Sequence, residues 1–397
     1  MSSATLRTNP EVSALIFPYN GLADQELAYA TFAQSVKGVA ASDSALSEAN
    51  PIGNRKATQP SIVNEEALQR FAYKASPLAR KALLREPLAP RAYAILALSE
   101  TNPKTRRRLI ALSSQLNRRD LALQGLRLQQ NLADQNFPAM IETLDQIMRV
   151  HPERRSDFFP LLVEALAAEE TVPTFAGILG KFLPWRDAFL SYAVSDQNAL
   201  TNLAKIRARV DFKNQDFDRQ LIANLVSAGE IQAGYGVYSL ASSANGSAPA
   251  SAGQVWQATY PPFDWQLTDR RGVRAQLSAS QDAVEFEVDR GNGGVIASKL
   301  IASPTGTVDL AIAHQIEPEA QRKDVKVVFK CWGSEASFFE APLSGNKNTF
   351  ALSDLPKCPY LEVSIVARAW SDMRPLTGTM SSFTISERNL RTATQVR

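Results

Sequence analysis

The chain is poor in the residues that carry most catalytic and metal chemistry: of 397 residues, only two are histidine and two cysteine. His151 sits beside a helix-ending proline and His314 at the end of a predicted strand. Neither a histidine-rich metal site nor an ordinary Ser/His/Asp triad is favoured, and each reads as a structural or surface histidine. No glycine-rich loop ends in Gly-Lys-Ser/Thr, and Gly291-Asn292-Gly293-Gly294 falls between predicted strands, where it reads as a hairpin turn; nucleotide chemistry is disfavoured. No apolar run approaches the ~18 residues of a membrane-spanning helix. The opening Met1-Ser2-Ser3-Ala4-Thr5-Leu6-Arg7 lacks the charged-then-apolar order of a secretory leader. No catalytic residue, metal, cofactor or transmembrane segment is therefore expected.

What is present is an ordinary globular composition, 45% hydrophobic and 21% charged, in a chain long enough for two or three domains. The net charge is only +3, but residues 50–160 hold 18 Lys/Arg against 10 Asp/Glu, a local excess of +8. Arg106, Arg107 and Arg108 with Arg118 and Arg119 are the candidate partner-binding residues of this stretch. The alternative reading makes them the solvated faces of helices. No aromatic residues interleave with them, which argues against nucleic acid as a partner.

Prolines organise the first half. Ala82-Leu83-Leu84-Arg85-Glu86-Pro87 and Gln146-Ile147-Met148-Arg149-Val150-His151-Pro152 each run a helical pattern into proline, and Pro87 to Pro152 is about two periods of ~34 residues. Such spacing predicts stacked helical hairpins, an α-solenoid whose repeats bury their core only against neighbours and offer a groove to partners. Residues 1–61 read as one helical hairpin followed by a flexible loop from Ala41. Residues 62–241 read as the solenoid, with breaks expected at Pro77, Pro87, Pro103, Pro138, Pro152, Pro160, Pro173 and Pro184. Phe182, Trp185, Phe189 and Tyr192 read as an aromatic cap on the array.

Residues 242–253 are small and uncharged and read as a linker. Beyond them the hydrophobic period switches to two: Val284, Phe286 and Val288 alternate with Glu285, Glu287 and Asp289. About ten such runs, with turn residues between them, predict an antiparallel β-sandwich over 254–386, of jelly-roll type, and a frayed tail at 387–397. Cys331 and Cys358 both fall at strand ends and form the disulfide candidate; two inert core thiols are the alternative. A bridge would add about 3 kcal/mol in the chain-entropy account.

Four of the five tryptophans lie beyond the linker. A sugar ring stacks its apolar face on Trp or Tyr, so Trp256, Tyr260 and Trp370, at strand or loop edges, are the candidate carbohydrate-binding residues. Trp265 and Trp332, within strand-like runs, are expected in the core. Carboxylates such as Asp264, Glu285 and Glu287 mostly alternate with apolar residues, as outward charges of half-buried strands do.

The fragments Ala82-Leu83-Leu84-Arg85-Glu86-Pro87-Leu88-Ala89-Pro90 and Ala92-Tyr93-Ala94-Ile95-Leu96-Ala97 resemble tetratricopeptide-type repeats over roughly residues 62–165. They lack the early Trp and Gly of that consensus, and the boundary near Asn117 has no proline. The whole layout is similar to alphaproteobacterial-type repeat proteins in which such an array precedes a sandwich beginning Pro261-Pro262-Phe263-Asp264-Trp265-Gln266-Leu267, with one cysteine in a strand and another in a segment like Lys357-Cys358-Pro359. The resemblance implies a cell-envelope protein with a carbohydrate-binding-module-like sandwich, associated with exopolysaccharide production. The expectation is a non-enzymatic scaffold, periplasmic or otherwise of the envelope, with the cytoplasm as the alternative compartment. Its solenoid would hold a protein partner and its sandwich polysaccharide. The competing expectations are a pure protein–protein adaptor with no small ligand, and a glycan-active enzyme using paired carboxylates.

Overall fold

A computed structural model describes residues 10–16, 19–48, 65–244, 256–304, 306–370 and 374–387. The chain divides into two compact units, residues 1–165 and 166–397. The stretch 62–241 is thus shared between them, and its last helices belong with the sandwich. The expected linker lies mostly at 245–253, outside the described residues.

In the first unit the helices α1 (Pro10–Ile16), α2 (Gly21–Glu48), α3 (Glu65–Arg85), α4 (Pro90–Ser99), α5 (Pro103–Leu116), α6 (Leu121–Ala133) and α7 (Phe137–Val150) each pack on the next. Helices α2 with α4 and α4 with α6 also touch, as stacked hairpins require. Helix α5 starts at Pro103 and α7 at Phe137, 34 residues on, which matches the expected period. The starts are written locally: Asn102 accepts from the Lys104 and Thr105 N–H groups, and Asn136 from that of Ala139. Each is followed within two residues by a proline whose missing N–H costs nothing in a first turn.

The seam of this unit is alanine. Ala72, Ala75, Ala79 and Ala82 recur on one face of α3 and are fully buried with Ala28, Ala89 and Ala92, so short side chains let the helix backbones approach closely. Two expectations fail here. Helix α3 runs straight through Pro77, and α8 (Arg155–Leu166) through Pro160, because each proline removes only one intrahelical bond from a helix held by side-chain burial. Helix α2 likewise continues through Ala41 to Glu48, where a loop was expected; residues 49–64 lie outside the described set.

The second unit opens with α9 (Val172–Leu179), α10 (Arg186–Ala193), α11 (Leu200–Arg207), α12 (Gln215–Ser227) and α13 (Ile231–Ala244). Trp185 and Phe189 fill its helical core edge to face at 5.8 Å, whereas Phe182 and Tyr192, expected beside them, are exposed. The strands follow: β1 (Gln266–Leu267), β2 (Asp269–Arg270), β3 (Val273–Leu277), β4 (Val284–Val288), β5 (Gly293–Ala302), β6 (Val308–Glu317), β7 (Val325–Cys331), β8 (Ser337–Pro342), β9 (Lys347–Leu352), β10 (Tyr360–Arg368) and β11 (Leu376–Glu387). They form two sheets, ordered β1-β5-β10-β7-β8 and β2-β3-β4-β11-β6-β9, with every pairing antiparallel. Setting aside β1 to β3 as edge additions leaves β4-β11-β6-β9 facing β5-β10-β7-β8, which is the jelly-roll order. The alternation read in β4 is realised, with Val284, Phe286 and Val288 inward and Glu285 and Glu287 outward. Cys331 and Cys358 are bonded, with Cα atoms 5.9 Å apart. Trp332, expected in the core, is 38% exposed because it follows β7 into a turn at Gly333, where φ is +78°.

Candidate functional site

In the helical unit, Arg106 and Arg107 line a cleft of about 200 Å³ whose apolar walls include Leu68, Leu98, Ile110 and Leu126. Both side chains are committed. Arg106 Nε donates to the Ala97 carbonyl at 3.2 Å, satisfying the C-terminal end of α4, and Arg107 Nη2 pairs with Asp134 Oδ1 at 3.0 Å. Arg108, Arg118 and Arg119 are exposed and do not line the cleft. The structure thus brings two of the five arginines to one concavity. His151 sits nearby in structural service, its Nε2 donating to the Arg119 carbonyl at 3.1 Å.

The three candidate aromatic residues of the sandwich separate completely. Trp256 is only 5% exposed and lies against Trp265, ring centroids 4.7 Å apart, in the core between the sheets. Tyr260 is 4% exposed and packs edge-on against Tyr238 of α13. Tertiary packing encloses both almost wholly, although Tyr260 borders a concavity of about 370 Å³ with Arg207, Asp211 and Asp218. Trp370 is 64% exposed, directly beyond the end of β10, with the Arg368 guanidinium over its ring at 5.0 Å.

Tyr260 belongs to a seam that sequence reasoning did not find. Asp264, read as an outward charge, is 1% exposed. Its Oδ1 accepts from the Tyr238 hydroxyl at 3.1 Å and its Oδ2 from the Tyr260 N–H at 2.9 Å. Burial pushes the buried Lys299 ammonium below its usual pKa, with Asp264 pulling the other way. Tyr235 packs between Phe263 and Tyr360, and the Tyr360 hydroxyl donates to Gln232 of α13 at 2.9 Å. Helix α13 is therefore fastened to the Tyr360 end of β10. Trp370 lies beyond the other end of that strand, whose last residue, Arg368, is about 26 Å away at strand rise.

A second surface was also missed. The outward face of the six-stranded sheet forms an open groove of about 660 Å³. Its floor is short, Thr377-Gly378-Thr379 of β11, and its walls are long. Glu287 of β4 and Glu317 of β6 both stand opposite Thr377, and Glu285 and Gln315 both stand opposite Thr379. Arg274 is the cation among these walls. Alternation showed which side chains point outward, but only strand order put β4 and β6 on either side of β11. Among the described residues, no group of three or more His, Cys, Asp or Glu side chains could hold a metal ion.

No family model matches this chain. No curated protein matches it either. Among solved structures the chain is similar to one described as accessory secretory protein 1, 2 and 3 in Streptococcus pneumoniae, at 11% identity over 34% of this chain and 95% of that one, with a TM-score of 0.24. A likeness at that score carries no argument about fold or role.

Proposed function

We propose that the protein is a non-enzymatic scaffold of the cell envelope whose helical unit holds a protein partner and whose β-sandwich holds polysaccharide through its Trp370 end. The observation that carries the reading is the 64% exposure of Trp370. The indole is stacked with the Arg368 guanidinium and still mostly exposed, and the apolar face of a sugar ring fits such a surface. The arginine-lined cleft is the natural seat for a protein partner. The Cys331–Cys358 bond supports placement in an oxidising compartment outside the cytoplasm.

A glycan array probed with the full chain and its Trp370→Ala variant tests this. Retention that the variant loses supports the reading. If the folded full chain retains no glycan, the pure adaptor takes its place. A second reading, the glycan-active enzyme, is favoured by one observation: Glu287 and Glu317 face each other across Thr377, two strand spacings or about 10 Å apart at the backbone. Release of reducing ends from a glycan by the wild type, abolished in Glu287→Gln, would replace the scaffold with that enzyme.

A further inference from the structure

We infer that the polysaccharide held at the Trp370 end is a polyanion, a sugar chain bearing carboxylates, gripped by an arginine row that continues from Trp370 across the sandwich tip. The inference rests on the glycan reading proposed above and adds the charge class of the ligand.

Three loops meet at this tip. Backbone bonds stitch them together: Gly291 N–H to Ala369 O at 2.9 Å, Ala369 N–H to Asn292 O at 2.9 Å, and Asp289 N–H to Gly272 O at 3.0 Å. On that platform the arginine side chains are held rather than splayed. Arg368 lies over the Trp370 ring and against Gly293, where a Cβ would come within 2.8 Å of Arg368 Cγ. Arg270 donates from Nη2 to the Gly293 carbonyl at 2.9 Å, and its guanidinium occupies the space a side chain at Gly294 would need. The paired glycines thus let the Arg270 guanidinium and the stem of Arg368 settle against the start of β5, and the Arg368 guanidinium carries the row on to Trp370.

Arg271 and Arg290 stand exposed on the neighbouring turns. Among the described residues no ion pair joins any of these four arginines to Asp269 or Asp289, the carboxylates of the same turns, or to any other carboxylate. Four cations outnumber Asp269, Asp289 and the Glu340 carboxylate, whose pKa Arg368 helps to lower, and leave a positive tip beside a face suited to stacking. Guanidinium forks match carboxylates two bonds at a time, and two of them are already ordered, so little freedom is lost on binding. A neutral glycan would use the indole and leave the row idle. A nucleic acid strand calls for successive stacking platforms, and the row has one.

The test uses the full chain in calorimetric titrations with an oligouronate, the same oligomer reduced at its carboxyl groups to a neutral sugar chain, and inorganic polyphosphate. The expected result is binding of the oligouronate that weakens steeply from about 0.1 M to about 1 M salt, as the screening length falls from about 10 Å to about 3 Å. Arg270→Gln with Arg368→Gln should lower that affinity roughly tenfold or more, and Trp370→Ala should lower it as well. Should the glutamine pair melt early, Arg270→Lys with Arg368→Lys keeps the charge and removes the fork, and a loss of affinity at unchanged melting temperature still supports the row. Equal binding of the oligouronate and its reduced form overturns the charge class and leaves the glycan reading standing. Binding of neither sugar overturns both. Polyphosphate bound as tightly as the oligouronate and indifferent to Trp370→Ala overturns the inference in favour of a sugar-free polyanion.

Discussion

Removing the Asp264 carboxylate should unfasten α13 from the sandwich, and the cost can be worked from its partners. In Asp264→Ala the Tyr238 hydroxyl and the Tyr260 N–H both lose their acceptor inside a buried site, at about 1–3 kcal/mol each. Lys299 simultaneously loses the carboxylate that favours its charged form, and stranding a buried charge costs about 3–5 kcal/mol. These terms share groups and do not add, so the expected loss is about 3–6 kcal/mol. Asp264→Asn keeps the volume and one acceptor, and should lose roughly half as much. Lys299→Met alone should cost less than Asp264→Ala, because the carboxylate it leaves behind keeps two donors, the Tyr238 hydroxyl and the Tyr260 N–H. The informative quantity is the coupling in the cycle of Asp264→Ala and Lys299→Met, expected above about 1.5 kcal/mol. Urea unfolding followed by tryptophan fluorescence reads it cleanly, because all five tryptophans lie within residues 166–397. A coupling below about 0.5 kcal/mol, the margin within which independent sites add, would refute the charge argument.

Three further outcomes follow from the same structure. Reducing the Cys331–Cys358 bond, which spans 27 positions, should lower the stability of the fluorescent unit by about 3–4 kcal/mol, seen as an earlier urea midpoint under thiol reductant; an unchanged midpoint would count against a stabilising bridge. His314 is held neutral. The Ser344 N–H fixes the Asn348 amide so that its Nδ2 donates to His314 Nε2, and burial, assisted by Arg322, lowers the imidazole pKa. Below its unfolded value near 6.5 the unfolded chain gains a proton that the fold refuses, so stability should be complete above that pH. It should fall, by at most about 1.4 kcal/mol per pH unit, as pH drops toward the lowered folded value, and His314→Gln should flatten the slope. Ala79→Leu should overpack the alanine seam of α3 and cost about 1–3 kcal/mol, read by far-UV circular dichroism as an earlier helical transition with the fluorescence transition unmoved.

Much of the architecture was legible from local pattern. The Asn-Pro helix start at Asn102 needed only a side-chain acceptor and a pre-set backbone angle within three residues. The inward Val284, Phe286 and Val288 needed only the two-residue pleat. Proline proved a weaker guide inside a helix than at its start, since Pro77 and Pro160 each subtract one bond from many. The candidate site was less legible. Trp256 and Trp370 look alike in sequence, each in a stretch of small and polar residues, yet one sits between the sheets and the other in water. Asp264 carries no local mark of burial either, for its enclosure comes from Tyr238 and Lys299, which are 26 and 35 positions away.

Helix starts, strand positions, the change of period between the two halves, the inward faces and the shortage of catalytic side chains are written in the sequence, because each depends on residues within a turn or two of one another. Long-range packing settles which aromatic residues are buried, joins the last helices to the sandwich, and brings Arg270 and Arg368, 98 positions apart, to one pair of glycines. Those outcomes depend on which strands become neighbours across two sheets, and strand order is fixed by the summed burial of the whole core rather than by any segment of it.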